Sequence, residues 1–250
     1  MDYPTPQHER AAEAIASFFE RRPETQAVLL TNSCARGKAT PDSCLDLLVL
    51  APTNAVARLD ALWEQFESAS GDIGALAAAG RWSDVHLDVV DGSFEVRPIE
   101  HELDWLEVQV GNALAYSVPL LERGGRLAQL RAEWLPFYDE HLRATRLAAA
   151  HAACLGYLER IPWFLDRELW FQALARLHGA FHWFLLALHI SKRTYPIAYD
   201  KWIREQVAEN LGLPELYERL PHLFEITRLE SRELEDKAAE LRALAETYLS

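Results

Sequence analysis

Apolar residues change their rhythm along this chain, and the change divides it near residue 100. In "HERAAEAIASFFERR" the positions Ala12, Ile15, Phe18 and Phe19 recur at helical spacing, which predicts an amphipathic helix. Thr5 is placed to cap it, with Pro6 at the first helical position, where a missing N–H costs nothing. "QAVLLTN" and "CLDLLVLA" are short apolar runs bounded by Gly37 and Pro41, as strands are. "AVARLDALWEQFESA" returns to helical spacing, and "GDIGALAAAG" reads as a loop. "VHLDVVD" alternates like a strand, and "FEVRPI" is a fourth candidate after the Asp91-Gly92 turn. The order predicts a small mixed sheet with helices packed on it.

From "EHELDWLEVQVGNALAYSVPLLERG" onward the periodicity is helical throughout, with four to six helices expected. Gly124 and Gly125 are expected to end the first of them, and Pro162, Pro196, Pro214 and Pro221 to mark later breaks. The last helix repeats Leu234, Ala238, Leu241 and Leu244 on one face. The predicted class is therefore α+β: a small mixed-sheet α/β domain over residues 1–98, followed by a helical bundle over 99–250.

Charge and composition narrow the function. The net charge is -13. That balance disfavours binding that depends on neutralising nucleic-acid phosphates, and it suits a small cationic ligand or simple solubility. Cys34, Cys44 and Cys154 are an odd set without metal-site spacing, as reduced thiols in the cytoplasm would be. The polar start lacks the pattern of a signal peptide. "ALARLHGAFHWFLLALHI" contains Arg176, His178, His182 and His189 and falls short of a membrane span. His178 and His182 have the spacing of a zinc clamp, but no Glu stands between them as a base, so core or pocket histidines are expected.

The chemistry concentrates in "TNSCARGKATPDSCLDLLV". A strand that runs into small polar residues and Arg-Gly leaves backbone N–H groups for a phosphate. Residues 44 and 46 then share one face of the next strand. Two acids at those positions would hold Mg²⁺ against the phosphate, and Asp88 in "VHLDVVD" would add a third.

This stretch resembles the signature of the DNA-polymerase-β-like nucleotidyltransferases: Gly-Ser, Ala-Arg-Gly, then Ser-Asp-x-Asp before an apolar run. Ser33, Ala35, Arg36, Gly37, Ser43 and Asp46 match in order and spacing. The helical half, including "HISKRTYPIAYDKW", is similar to the C-terminal domain of the kanamycin and related aminoglycoside nucleotidyltransferase-like group. The resemblance implies Mg²⁺-dependent transfer of a nucleoside monophosphate from ATP or another NTP to a hydroxyl of a small, possibly cationic acceptor, in a monomer or homodimer. It implies that Asn32, Ser33, Arg36, Gly37 and Ser43 frame the triphosphate site and that Asp46 and Asp88 are the catalytic and metal-binding acids. Lys201 would neutralise phosphate charge, and Tyr195 would stack on the base or line the acceptor pocket.

Two positions depart from the signature. Asn32 stands for its Gly, and Cys44 for the first Asp of its pair. A thiol is a poor ligand for Mg²⁺, which prefers hard oxygen donors. The alternative is thus an inactive nucleotide-binding or interaction protein on the same fold, or a component of an antitoxin–toxin pair.

Overall fold

The computed structural model describes residues 2–99, 103–136 and 139–249. It is an α+β structure in two compact units. The first comprises residues up to Glu95 together with Gln109–Leu135; the second comprises Val96–Val108 and the chain from Pro136 on.

The first unit opens with α1 (Pro6–Glu20), capped by Thr5, whose side-chain oxygen accepts the His8 N–H. β1 (Ala27–Leu30) leads into one turn of helix, α2 (Asn32–Ala35), and then β2 (Leu45–Leu50). α3 (Thr53–Ala69) and α4 (Gly71–Ala77) precede β3 (Val85–Val90). The stretch 71–80, expected to be a loop, thus contains a helix that buries Ile73 and Leu76. Those two side chains join the core under α1, a tertiary gain that outweighs the glycines at 71 and 74.

The chain leaves this unit after Glu95 and returns through α5 (Leu106–Val110) and a π-type turn (Gly111–Ala115) to β4 (Val118–Glu122) and α6 (Arg126–Trp134). The sheet order is β3-β2-β1-β4, with β2 and β3 parallel and the other pairs antiparallel. Its fourth strand is β4, inside the region expected to be only helical, whereas residues 94–99 form no strand. Gly124 and Gly125 accordingly serve a strand-to-helix turn, with φ of +69° and +71°, and do not end a helix.

Strand alternation divides the sheet into two faces. Val28, Leu30, Leu45, Leu47, Val49, Val85 and Val89 face a core built with α1, α3 and α4, where Phe18 stacks on Phe66 at 4.1 Å. Asp46 and Leu48 of β2 lie on the opposite face, in register with His86 and Asp88 of β3.

In the second unit, α7 (Glu140–Glu159), α8 (Ile161–Leu165) and α9 (Trp170–Ser191) pack together. Tyr157 lies so close to Gly179 that a Cβ there would come within 2.5 Å of its ring. A π-type turn (Glu205–Asn210), α10 (Pro214–Arg219), a short 3₁₀ turn (Pro221–Phe224) and α11 (Glu233–Tyr248) follow. α11 buries Leu234, Ala238, Leu241 and Leu244, the stripe expected of it. Pro162, Pro214 and Pro221 stand at element starts, where proline is tolerated. Among the described residues no helix is long and apolar enough to cross a membrane.

Candidate nucleotide site

At the end of β1 the Thr31 N–H donates to the Asp46 carbonyl at 2.9 Å, and the chain turns sharply at Asn32. Asn32 has φ +52°, a left-handed conformation in which only Gly, and less readily Asn or Asp, is at ease. The Gly-to-Asn departure therefore keeps the backbone geometry of the turn. α2 follows, and the Lys38 N–H closes back onto the Ser33 carbonyl at 2.9 Å, with Gly37 left-handed at φ +67°. Ser33 and Arg36 are half-buried, while Gly37 and Lys38 are exposed.

The next loop is held from several sides. Ser43 Oγ accepts the Thr40 N–H at 2.9 Å, and the Ser43 carbonyl lies 2.9 Å from Nε2 of the buried His8. A carbonyl only accepts, so Nε2 of His8 carries the proton, and Nδ1 meets the Thr5 hydroxyl at 2.8 Å. Asp42 Oδ1 accepts the Arg81 N–H at 3.0 Å, and the Ser83 hydroxyl donates to the Pro41 carbonyl at 3.0 Å. Gly80 sits under this contact, where a Cβ would lie 3.0 Å from both Asp42 Oδ1 and the Pro41 carbonyl. Asp42 is thus committed to joining two loops.

Cys44 is half-buried, and its thiol donates to the Trp82 carbonyl at 3.1 Å. Cys34 Sγ lies 3.5 Å from the Cys44 carbonyl. Burial pushes the Cys34 thiol up to about 12, with the charges of Asp46 and Cys44 adding to the effect. Asp46 stands opposite His86 in the parallel register, and its Oδ1 accepts from His86 Nδ1 at 3.1 Å. Asp88, exposed, stands opposite Leu48, two residues farther along the same face. The register thus sets an imidazole directly opposite Asp46, with the Asp88 carboxylate on the same face.

These residues offer Mg²⁺ fewer hard oxygen donors than the signature would. That ion prefers an octahedron of oxygens and usually takes carboxylates that are free to turn towards it. Here one carboxylate is engaged by an imidazole, and the neighbouring position offers a thiol already hydrogen-bonded to a carbonyl. Among the described residues no three His, Cys, Asp or Glu side chains are grouped to hold a metal.

The other two predicted site residues belong to the second unit. Tyr195 is 3% exposed, and burial, with nearby Glu107 second, pushes its hydroxyl above the ordinary tyrosine range. A ring so enclosed has little face to offer a base. Lys201 is exposed, on a loop tied by the buried Gln206, whose amide bonds the Ile197 N–H and the carbonyls of Ala198 and Lys201. His178 and His182 stack edge-on at 4.2 Å between ring centres, while His189 is buried and hydrogen-bonded to Thr194 at 3.0 Å.

Sequence reasoning missed His8 and His86. The period-two pattern of "VHLDVVD" put His86 and Asp88 on one face. Only the pairing register says which of them meets Asp46.

Comparison with protein-family models and with curated proteins returned no match. Among solved structures, the chain is similar to a nucleotidyltransferase-like protein from Exiguobacterium sibiricum 255-15, with 19% identity, 96% of this chain and 74% of that chain covered, and a TM-score of 0.48. A likeness of that degree bears on neither ligand nor activity.

Proposed function

We propose that this chain is a nucleotide-binding protein on a nucleotidyltransferase-type frame, with Cys44 where the signature has the first Asp of its metal-binding pair and with Asp46 hydrogen-bonded to His86. The observation that carries this reading is the 3.1 Å contact between Asp46 and His86, beside a thiol at position 44. The frame itself supports nucleotide binding. The left-handed Asn32, the turn through Gly37 and the braced loop before β2 keep the strand–turn–strand form of the signature. In this reading Ser33 and the Arg36-Gly37 turn receive the triphosphate, and Ser43 shapes the approach. The acidic chain favours a cationic small molecule as a second ligand.

Mg²⁺-dependent transfer of a nucleoside monophosphate to a hydroxyl is the second reading, favoured by Asp46 and Asp88 sharing one sheet face. Thermal unfolding with each of the four NTPs, with and without Mg²⁺, separates the two. Nucleotide binding alone raises stability by RT ln(1 + [L]/Kd), about 2.7 kcal/mol at a hundred times Kd, and Mg²⁺ should add little. A large joint effect of metal and nucleotide would favour the transfer reading. No response to any NTP would overturn both.

A further inference from the structure

We propose that Trp82 is the base-stacking residue of the candidate nucleotide site, and that the stack favours purine nucleoside triphosphates. The proposal rests on the nucleotide-binding reading and names the base that the site selects.

The residue expected from the sequence to stack on the base, Tyr195, is almost wholly enclosed. Trp82 is the reverse case. It is 68% exposed, the one large apolar residue exposed in the first unit among the described residues. A single exposed apolar side chain is ordinary on a protein surface, so exposure alone decides nothing. What sets Trp82 apart is where its backbone is held.

The loop that carries Trp82 runs beside the loop that leads into β2. The Arg81 N–H donates to Asp42 Oδ1 at 3.0 Å, and the Leu45 N–H donates to the Asp84 carbonyl at 2.8 Å. Between them the Cys44 thiol donates to the carbonyl of Trp82 itself at 3.1 Å. Trp82 is thus tied, at its own carbonyl and on both sides, to residues 42–45, the segment that carries Ser43 of the signature. A ring on so braced a backbone loses little freedom when a ligand stacks on it.

The indole is already one layer of a stack. The Arg81 guanidinium lies over it, 5.2 Å from the ring centroid. A cation over one face of an indole leaves the other face for a planar group. A nucleobase is such a group, and aromatic side chains bind bases in this way whatever their sequence. Every base has a face to offer, but a two-ring purine covers more of the indole than a pyrimidine does.

The test measures Kd for ATP, GTP, CTP and UTP by titration calorimetry on the full chain, in wild type and in Trp82→Phe, Trp82→Leu and Trp82→Ala. Inorganic tripolyphosphate serves as the probe without a base. Wild type should bind ATP and GTP several-fold more tightly than CTP and UTP. Trp82→Leu and Trp82→Ala should weaken ATP by about 10-fold or more, while Trp82→Phe keeps most of the affinity. Affinity for tripolyphosphate should be the same in all four chains, which a damaged loop would not give. ATP should also quench tryptophan emission in wild type, and quench it less in Trp82→Phe. The stack would be overturned by a Trp82→Leu variant that binds ATP as wild type does, or by equal losses for ATP and tripolyphosphate. Equal affinity for all four NTPs would overturn the purine preference. No binding of any NTP to wild type would overturn the nucleotide-binding reading itself, whereas NTP binding indifferent to Trp82 would overturn the stack alone.

Discussion

Glu107 holds Arg146 through both carboxylate oxygens, at 2.7 Å to Nε and 2.8 Å to Nη2, with both side chains essentially buried. Asp104 accepts from Nη2 at 2.7 Å and the Arg97 carbonyl from Nη1 at 2.8 Å. One guanidinium thereby fastens the segment Val96–Val108 to α7. That segment belongs with the helical unit although the chain then returns to the sheet.

Breaking that pair from one side should be costly. Glu107→Ala leaves a buried guanidinium short of its main counter-charge, and we expect a loss of about 3–5 kcal/mol in urea unfolding. Changing both residues to apolar ones of similar volume, as in Arg146→Met with Glu107→Leu, should recover much of it. Equal losses in the single and double variants would show that packing, not charge, dominates at this site.

The Asn32 backbone yields a second expectation. Asn32→Gly places the residue most at ease at φ +52° and should leave stability within a few tenths of a kcal/mol or raise it. Asn32→Val forces a branched side chain into the left-handed region at about 1–2 kcal/mol. Thermal unfolding of the two variants checks the ordering, and a Val variant as stable as wild type would contradict it.

Cys44→Asp completes the Ser-Asp-x-Asp signature. Without metal it should be less stable than wild type, since a carboxylate replaces the thiol donor facing the Trp82 carbonyl and adds charge beside Asp46. With Mg²⁺ and ATP together it should recover, because the new oxygen donor suits that ion. The readout is the difference in melting temperature with and without Mg²⁺, which should be larger in the variant than in wild type.

His189 is the clearest source of acid sensitivity. Burial pushes its imidazole from the ordinary 6.5 down to about 3, and Nε2 has no hydrogen-bond partner among the described residues. Below the unfolded value the denatured chain binds a proton that the folded one refuses. The stability is therefore full above 6.5 and falls as pH drops towards 3. The slope from this residue is about 1.4 kcal/mol per pH unit. His189→Gln, which can still reach Thr194, should flatten the acid limb of stability measured by urea unfolding between those two values.

The elements that carry their own pattern were legible in the chain. α1 shows its cap and apolar stripe, β1 to β3 their apolar or alternating runs, and α11 its leucine repeat, because each buries a face set by local periodicity. The turn at Gly37 was legible too, as a break after the first strand, and Gly37 is left-handed there. β4 was not. "VPLLE" does not alternate cleanly, and it becomes a strand only by pairing with β1, far away in the chain. Burial at Tyr195, the salt bridge between Glu107 and Arg146, and the hydrogen bond between Asp46 and His86 were likewise decided in three dimensions. Periodicity tells which face a side chain takes. Register and packing partner depend on segments remote in sequence, and they decide what that side chain meets there.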